Sequence, residues 1–406
     1  MLRNLTVVHP PLRAVCGGHL DLLLKTLMDS VTTAVYEAHA LEWTAARRPR
    51  AIEDGRLDAF ARRVRPGGRV ADLGCGPGWY AAHLRAAGFE VVAVDAAAAM
   101  LAEAARRAPQ VWRVRADILA LPVADRSLDG AWASGSYQHL PCGDLPLALA
   151  RLHAALRLDA PVELTLADLR HVETTAEELA CGETERRFGD DTFPQRLFSL
   201  HTVERARALL DGAGFEAIEI DSVADTFWLR VRARRARSLP DLVAPDLRLL
   251  VCGLNPSLYS ADAGVPFARP GNRFWSAARA AGLIVHERDP LEALRRGIGM
   301  TDLVKRASAA AAELRRDEYA DGLRRLESLV CLYRPAALCF VGLDGWRQAV
   351  DRRAQPGWIA DGFGGRPAYL MPSTSGRNAR VPVAELAAHL RAAAMGKSSR
   401  ELRVER

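Results

Sequence analysis

The fold of this 406-residue chain is constrained most by two blocks of alternating strand-like and helix-like segments. A basic stretch that contains proline separates the two blocks. In the first block, short apolar segments alternate with Ala-rich segments of helical spacing, a pattern typical of βαβ units and a parallel sheet. The strand candidates are RVADLG, EVVAVD, VWRVRAD, LDGAWAS and PVELTLAD, and AIEIDSV and TFWLRVRARR form a closing pair. The helix WYAAHLRAAG follows the first strand and stops at Gly88. The block therefore predicts an α/β unit.

The second block begins after the stretch RARRARSLPDLVAPD, which we interpret as a linker. The strand LRLLVCG opens this block, AALCFVG and PAYLMPS continue it, and the helix PVAELAAHLRAAA closes it. This pattern predicts a second, separate α/β unit. We expect the following division of the chain: 1–32 unassigned, 33–234 first unit, 235–246 linker, 247–395 second unit and 396–406 basic tail. Met28 is an alternative start.

Composition excludes several classes of protein and favours a polyanionic partner for the second unit. No run of 18 apolar residues is present, so we expect no membrane span and a cytoplasmic location. The seven cysteines are scattered without metal-ligand spacing, and we expect neither a metal site nor disulfides. Residues 1–236 hold 29 Lys+Arg against 31 Asp+Glu, whereas residues 237–406 hold 26 against 18. The excess positive charge of the second unit favours binding to nucleic acid.

A glycine-rich loop follows the first strand. Glycines between a strand and a helix let the backbone approach a ligand, and the helix N-terminus offers free N–H groups. An acid about twenty residues further on, at the end of the second strand, is placed to accept hydrogen bonds from ribose hydroxyls. An acid ending the third strand is placed to reach an adenine amino group. The candidate cofactor-binding residues are Asp72, Gly74, Gly76, Gly78, Asp95 and Asp117.

These residues, with YEAHALEW before them and LDGAWASGSYQHLP after them, resemble a class I S-adenosylmethionine-dependent methyltransferase over Tyr36 to Arg232. The resemblance implies a Rossmann-like, seven-stranded domain that binds S-adenosylmethionine. It leaves the methyl acceptor open. His139 is either a base or a residue that packs beside the loop, and Cys142, directly after Pro141, is a weak candidate for a nucleophilic thiol.

The second block carries polar and aromatic residues where a base-binding site needs them. The strand LRLLVCG runs into GLNPS, which places Asn255 at its carboxyl end, the usual edge for ligands in an α/β sheet, and Pro256 fixes the backbone after it. Phe267 lies in GVPFARPGNRFW without regular periodicity around it, and STSGRNAR carries Arg377 and Arg380. An amide, an aromatic ring and a basic Ser/Gly-rich loop are suited to an extruded base and its phosphates. We expect Asn272 to brace its loop and Trp275 to be a core residue.

The motifs GLNPS, GVPFARPGNRFW, GIGMTDLV and MPSTSGRNAR, in this order, resemble the mismatch-specific uracil-DNA glycosylase and thymine-DNA glycosylase family over Pro240 to Ala394. The resemblance implies an α/β/α domain in which Asn255 positions the hydrolytic water and Thr301 assists. It also implies that Phe267 stacks on the flipped base and that Arg377 enters the duplex. The residues expected to contact DNA are Ser373, Ser375, Gly376, Arg377 and Arg380. The expected substrate is double-stranded DNA with mispaired uracil. No cofactor is implied, and we expect Lys305 on a solvated helix face.

Two residues depart from this family's pattern. Ser257 stands where a glycine is usual, which puts efficiency in doubt. Ser260 stands where thymine-processing members have a small apolar residue, so we expect uracil opposite guanine to be removed much faster than thymine opposite guanine. Ethenocytosine is likewise expected to be a poorer substrate than uracil. Two alternatives stay open: a methyltransferase whose C-terminal domain only binds nucleic acid, and an N-terminal domain without transfer activity.

Overall fold

Residues 29–222, 226–378 and 380–396 are described by the computed structural model of this chain. Most of the expected segments 1–32 and 396–406, including Met28, lie outside them. Within the described ranges, no helix is both long and apolar enough to reach across a lipid bilayer.

A nine-stranded sheet forms the first unit. Its strands are β1 (Arg69–Leu73), β2 (Glu90–Asp95), β3 (Trp112–Arg115), β4 (Gly130–Ala133), β5 (Pro161–Asp168), β6 (Glu183–Phe188), β7 (Arg196–His201), β8 (Phe215–Ser222) and β9 (Trp228–Arg235). The order β3-β2-β1-β4-β5 is parallel, β9 lies antiparallel to β5, and β8 lies antiparallel to β9. The seven strands expected from the sequence are all present.

The remaining two strands form a hairpin that the sequence analysis did not predict. β6 and β7 pair with each other antiparallel, and β7 continues the sheet beside the last two residues of β5. β6 reads ETERRF, whose charges hide a strand pattern. β7 is buried along its whole length, and it brings Arg196 into the interior of the unit.

Helices cover both faces of the first sheet. They are α1 (Ser30–Ala38), α2 (Ala40–Ala46), α3 (Arg50–Glu53), α4 (Arg56–Ala61), α5 (Trp79–Ala86), α6 (Ala98–Arg107), α7 (Leu145–Ala155), α8 (Ala176–Cys181) and α9 (Val203–Gly212). Alternate residues of one strand enter different cores, because side chains alternate along a strand. Val70 packs with α4 to α6, whereas Ala71 packs with α7 and α9.

A five-stranded sheet forms the second unit, in the order β11-β10-β12-β14-β13. Its strands are β10 (Leu249–Gly253), β11 (Ile298–Asp302), β12 (Leu338–Val341), β13 (Gly357–Trp358) and β14 (Ala368–Met371). Its helices are α10 (Leu258–Ala263), α11 (Phe274–Ala280), α12 (Pro290–Arg295), α13 (Arg316–Tyr333), α14 (Leu343–Ala349) and α15 (Val383–Met395). One face packs on α11 and α15 and the other on α13, which gives three layers. β11 was expected only as a motif.

The segment expected to be a linker is packed against the second unit. Leu239, Leu242 and Val243 are buried, and Leu242 exchanges backbone hydrogen bonds with Met300 of β11. The first unit ends at β9, and this segment then serves as an edge of the second unit.

Asp241 of that segment is the centre of a buried ion cluster. Its carboxylate accepts from Lys305 Nζ at 2.8 Å, from Arg325 Nη1 at 2.5 Å and from the Thr301 hydroxyl at 2.6 Å. Burial raises the pKa of Asp241, but the charges of Arg325 and Lys305 outweigh burial, so the pKa lies below its ordinary value. The expectation of a solvated Lys305 was wrong, because its side chain is 9% exposed and lies outside any helix.

We predict that Asp241→Asn destabilises the protein by about 3–5 kcal/mol, because it removes the buried carboxylate that Lys305 and Arg325 share. Urea denaturation at neutral pH measures the change. The matched control is Asp321→Asn, which removes an exposed partner of Arg324 and should cost less than about 1 kcal/mol. Equal losses in the two variants would contradict the role given to Asp241.

Candidate active sites

The carboxyl ends of β10 and β11 open into a cavity of about 660 Å³. Parallel strands end at the same edge of a sheet, so side chains that follow them collect there. Five other site residues expected from the sequence line this cavity together with Asn255: Ser260, Phe267, Ser373, Ser375 and Arg377. The motifs that are distant in sequence therefore meet in one place.

Asn255 is held by its amide nitrogen. Nδ2 donates to the Ser308 hydroxyl at 2.8 Å and to the backbone carbonyl of Arg306 at 3.0 Å. Both contacts fix the amide orientation, since a carbonyl oxygen can only accept. Among the described residues no group donates to the Asn255 amide oxygen, which is left as an acceptor in the cavity lining. Ser308 was missed by the sequence analysis, because a serine in RAS carries no signal of its own.

Phe267 is supported from one side by another ring. It stacks on Phe274 with ring centroids 4.2 Å apart and planes 23° from parallel. Its backbone φ is +56°, a region that non-glycine residues rarely occupy and that is common at functional positions. The fold therefore holds a supported aromatic ring in the cavity lining.

Ser257 begins the short helix α10. Its φ is −69°, and its hydroxyl accepts the N–H of Ser260 at 3.1 Å, as expected for an N-cap. This backbone does not require glycine, so the departure at Ser257 brings no strain. The hydroxyl of Ser260 is buried and accepts from the Ala268 N–H at 3.1 Å.

Thr301 does not line the cavity. Because side chains alternate along β11, Thr301 faces the Asp241 cluster while its neighbour Asp302 faces the opposite side. Asp302 is in register with Gly253, and a Cβ on Gly253 would lie 2.4 Å from its Oδ1. The missing side chain of Gly253 makes room for this carboxyl group.

Asp302 is the main site residue that the sequence analysis missed, although it stands inside the motif GIGMTDLV. It lines the cavity and is 8% exposed. Burial raises its pKa to about 6, with the charge of Lys305 acting in the opposite direction. Such a carboxylate is ionised near neutral pH and is still basic enough to take a proton.

The loop between β14 and α15 is braced from within. The Ser373 hydroxyl accepts from the Ser375 N–H at 3.2 Å, and the Arg273 guanidinium donates to the carbonyls of Asn378 and Ser375. Arg377 is exposed at the cavity edge, whereas Gly376 and Arg380 do not line the cavity. Asn272 accepts the N–H of Phe274, and Trp275 is buried, as expected for both.

A larger cavity of about 840 Å³ lies at the carboxyl ends of the first sheet. Gly74, Gly76 and Asp95 line it, but Asp72, Gly78 and Asp117 do not. A Cβ on Gly78 would lie 2.8 Å from the Cβ of Ala104, so this glycine serves the packing of α5 on α6. The Asp117 side chain accepts the N–H of Leu119 at 2.9 Å. Asp72 is buried, and burial raises its pKa to about 7.

The cavity has the features that a nucleoside cofactor needs. Gly76 has φ +51° and open space where a Cβ would stand, so a ligand can approach its backbone. The Asp95 carboxylate accepts from the N–H groups of Gly76 and Ala97 at 2.8 and 2.9 Å, and burial raises its pKa to about 6. Met100 and Ile118 add an apolar wall. The residues present therefore fit S-adenosylmethionine.

His139 lines the same cavity with both ring nitrogens engaged. Nδ1 donates to the carbonyl of Leu197 at 2.6 Å, which leaves Nε2 to accept from the Tyr36 hydroxyl at 2.8 Å. Burial lowers the pKa of His139 to about 4, so the ring is neutral. This arrangement favours a packing role over that of a base.

Cys142 lies outside both cavities. Its thiol is within 4.8 Å of ligand atoms of Glu183 and His201, a grouping of metal-binding residue types that the sequence spacing does not reveal. Arg205 donates to Glu183 at 2.7 Å and already supplies the positive charge there. Burial raises the pKa of Cys142 well above its ordinary value, which is unsuited to a nucleophile.

Family models match both units. Residues 70–159 match the model "Methyltransferase domain", and residues 240–392 match "Uracil DNA glycosylase superfamily". The chain thus contains a methyltransferase domain followed by a uracil DNA glycosylase superfamily domain, and the predicted fold class of each is confirmed.

Solved structures similar to this chain include several methyltransferases. An S-adenosylmethionine dependent methyltransferase from Mesorhizobium loti is 21% identical, with 45% of this chain and 97% of that one covered and a TM-score of 0.37. The 1,6-didemethyltoxoflavin-N1-methyltransferase of Burkholderia thailandensis is 21% identical, covers 56% and 94%, and has a TM-score of 0.35. With TM-scores below 0.5, these likenesses add nothing to the assignment, which rests on the family match and the geometry.

Proposed function

We propose that this chain, in which a methyltransferase domain precedes a uracil DNA glycosylase superfamily domain, excises uracil opposite guanine at its C-terminal site. The reaction is hydrolysis of the N-glycosidic bond without strand cleavage. Thymine and ethenocytosine are poorer substrates. The N-terminal site binds S-adenosylmethionine and transfers its methyl group to an acceptor.

The observation that carries the glycosylase proposal is the orientation of Asn255. Its nitrogen is tied to Ser308 and Arg306, so its oxygen is the free acceptor in the cavity. A neutral amide held this way binds a water molecule by accepting a hydrogen bond from it. Because the amide is already oriented, no free energy is needed to reorient it during the reaction.

The chemistry follows from the neighbours of Asn255. A uracil extruded from the duplex stacks on the face of Phe267 that is not covered by Phe274. The N1–C1′ bond breaks and its electron pair leaves with the base. The water oxygen then bonds to C1′, and one of its protons passes to the Asp302 carboxylate. The uracil anion takes up one proton in turn and Asp302 returns to its carboxylate form, so the proton lost by water is balanced. The products are free uracil and an abasic site.

DNA binding is supported by charge and by the loop after β14. Arg377 is exposed at the cavity edge, where it can occupy the space left by the extruded nucleotide. Ser373, Ser375, Gly376 and Arg380 are close to it in sequence and are suited to the flanking phosphates. Residues 237–406 hold 26 Lys+Arg against 18 Asp+Glu, an excess of positive charge that favours a polyanion.

In the methyltransferase domain, Asp95 and the backbone of Gly74 and Gly76 hold S-adenosylmethionine. When bound, this cofactor supplies an electrophilic methyl group on a sulfonium. The residues of the chain orient the acceptor and exclude water. Asp72, Gly78 and Asp117 do not line the cavity. We propose that they assist cofactor binding indirectly, by supporting the segments of backbone that carry the lining residues.

We predict that Asn255→Ala lowers the single-turnover rate of uracil excision by at least about 10²-fold, because the water loses its positioning group. Alkaline cleavage of a labelled G·U duplex after incubation measures abasic product. Gln355→Ala removes an exposed amide outside the cavity and should keep the wild-type rate. If wild type bound this duplex but formed no product, a DNA-binding role without catalysis would replace the proposal.

We predict that the excision rate of the wild type rises with pH, reaches half of its plateau near pH 6 and levels off about one pH unit higher, because the Asp302 carboxylate must be ionised to accept a proton. Asp302→Asn should lose this step and lower the rate at pH 7.5 by about 10²-fold or more. Asp344→Asn changes a second acid of the cavity lining and should keep the step. A pH profile of Asp302→Asn identical to that of wild type would exclude Asp302 as the base.

We predict that uracil opposite guanine is excised much faster than thymine opposite guanine. The buried hydroxyl of Ser260 occupies the place of a small apolar side chain and disfavours a 5-methyl group nearby. Single-turnover rates on matched G·U and G·T duplexes measure the ratio, and Ser260→Ala should narrow it. Equal rates on the two duplexes would refute this specificity.

A further inference from the structure

The larger cavity contains a buried arginine without a counter-ion. Arg196 lies at the start of β7 and is 7% exposed. Among the described residues, no carboxylate lies within ion-pair distance of it. Its Nε is enclosed without a hydrogen-bond partner in the described part of the chain. The one side-chain hydrogen bond that Arg196 makes there is a long contact of 3.4 Å from Nη1 to the Tyr36 hydroxyl.

Aromatic rings surround the faces of this guanidinium. Trp43, Phe198 and Tyr36 have ring centroids 5.2, 5.6 and 5.9 Å from its central carbon. Contacts to ring faces stabilise the charge, but they leave the N–H groups in the guanidinium plane without acceptors. A buried charge with unpaired donors is costly unless a ligand completes it.

The remaining lining agrees with an anionic and planar ligand. Among the residues that the structure describes, six arginines line the cavity, whereas Asp95 is the one carboxylate in its lining. At the rim, Arg47, Arg48 and Arg50 have no ion pair with any described carboxylate, and such a field attracts anions. The walls near Arg196 are Phe188, Phe198, Phe227 and Trp228, whose rings pack edge to face with one another.

We propose that the methyl acceptor is a small aromatic carboxylate, whose anionic group pairs with Arg196 and whose ring lies between the aromatic walls. This inference rests on the proposed methyltransferase function of the cavity. A single guanidinium matches one carboxylate in charge and can bind it through two parallel hydrogen bonds. The Tyr36 hydroxyl, whose own hydrogen goes to His139, can only accept from Arg196 and leaves most of its donors for a ligand.

The test measures binding to the full chain saturated with S-adenosylhomocysteine. The probes are benzoate, 1-naphthoate and indole-3-acetate, each compared with its neutral amide by calorimetry or saturation-transfer NMR. We expect at least one carboxylate to bind about tenfold or more tightly than its amide. Arg196→Met should remove this difference, and Arg196→Lys should restore part of it, since lysine keeps the charge but lacks the planar fork.

A matched control is Arg151→Met, because Arg151 is also partly buried with an unpartnered Nε but lies outside the cavity. It should keep the preference for carboxylates. Equal binding of acids and amides, no binding of any acid, or tighter binding of phenyl phosphate than of every carboxylate would overturn the inference. A separate titration with S-adenosylhomocysteine alone distinguishes failure of this inference from failure of the proposed methyltransferase function. If S-adenosylhomocysteine does not bind, the methyltransferase function fails; if it binds and no carboxylate is preferred, only the inference about the acceptor fails.

Discussion

The parallel pairing of β10 with β11 determines what can meet at the C-terminal site. Cys252 is opposite Thr301 and Gly253 is opposite Asp302. Thr301 faces the ion cluster of Asp241, whereas Asp302, the next residue along β11, faces the cavity. Because a shift by one residue turns every side chain to the other face, this register decides which of two polar neighbours reaches a ligand. The absence of a side chain at Gly253 then gives Asp302 its space, and the residues after β10 bring Asn255 to the same edge.

Much of the fold could be predicted because most strands are apolar runs between clear breaks. The hairpin of β6 and β7 could not be predicted. The charged sequence of β6 shows no alternation of apolar and polar residues, and β7, with which it pairs, joins the sheet beside β5, which is distant from it along the chain. β11 is fully buried, but its five residues include Gly299, Thr301 and Asp302, so it lacks the apolar run that identifies β10 and β12. The packed segment around Leu242 reads as a linker because its prolines and arginines dominate its composition.

The candidate sites were predictable to the extent that single residues follow recognisable strands. Asn255, Phe267, Gly76 and Asp95 belong to such motifs and line the cavities. Asp302, Ser308 and Arg196 could not be identified as site residues from the sequence, because their importance comes from burial and from partners that are distant in sequence. Thr301 belongs to a recognisable motif, but its side chain faces Asp241 and not the cavity. A motif gives the residue type, whereas only the strand register gives the direction of the side chain.

The buried cluster of Asp241 has a consequence for where the chain can be divided. Arg325 of α13 also lies 3.7 Å from Asp211 of the first unit, and Lys305 donates to the carbonyl of Leu239 as well. A fragment starting at β10 would lack both acids and would leave two cations in its interior. The physical boundary of the second unit therefore precedes Leu239, and even there the first unit supplies part of the charge that α13 requires.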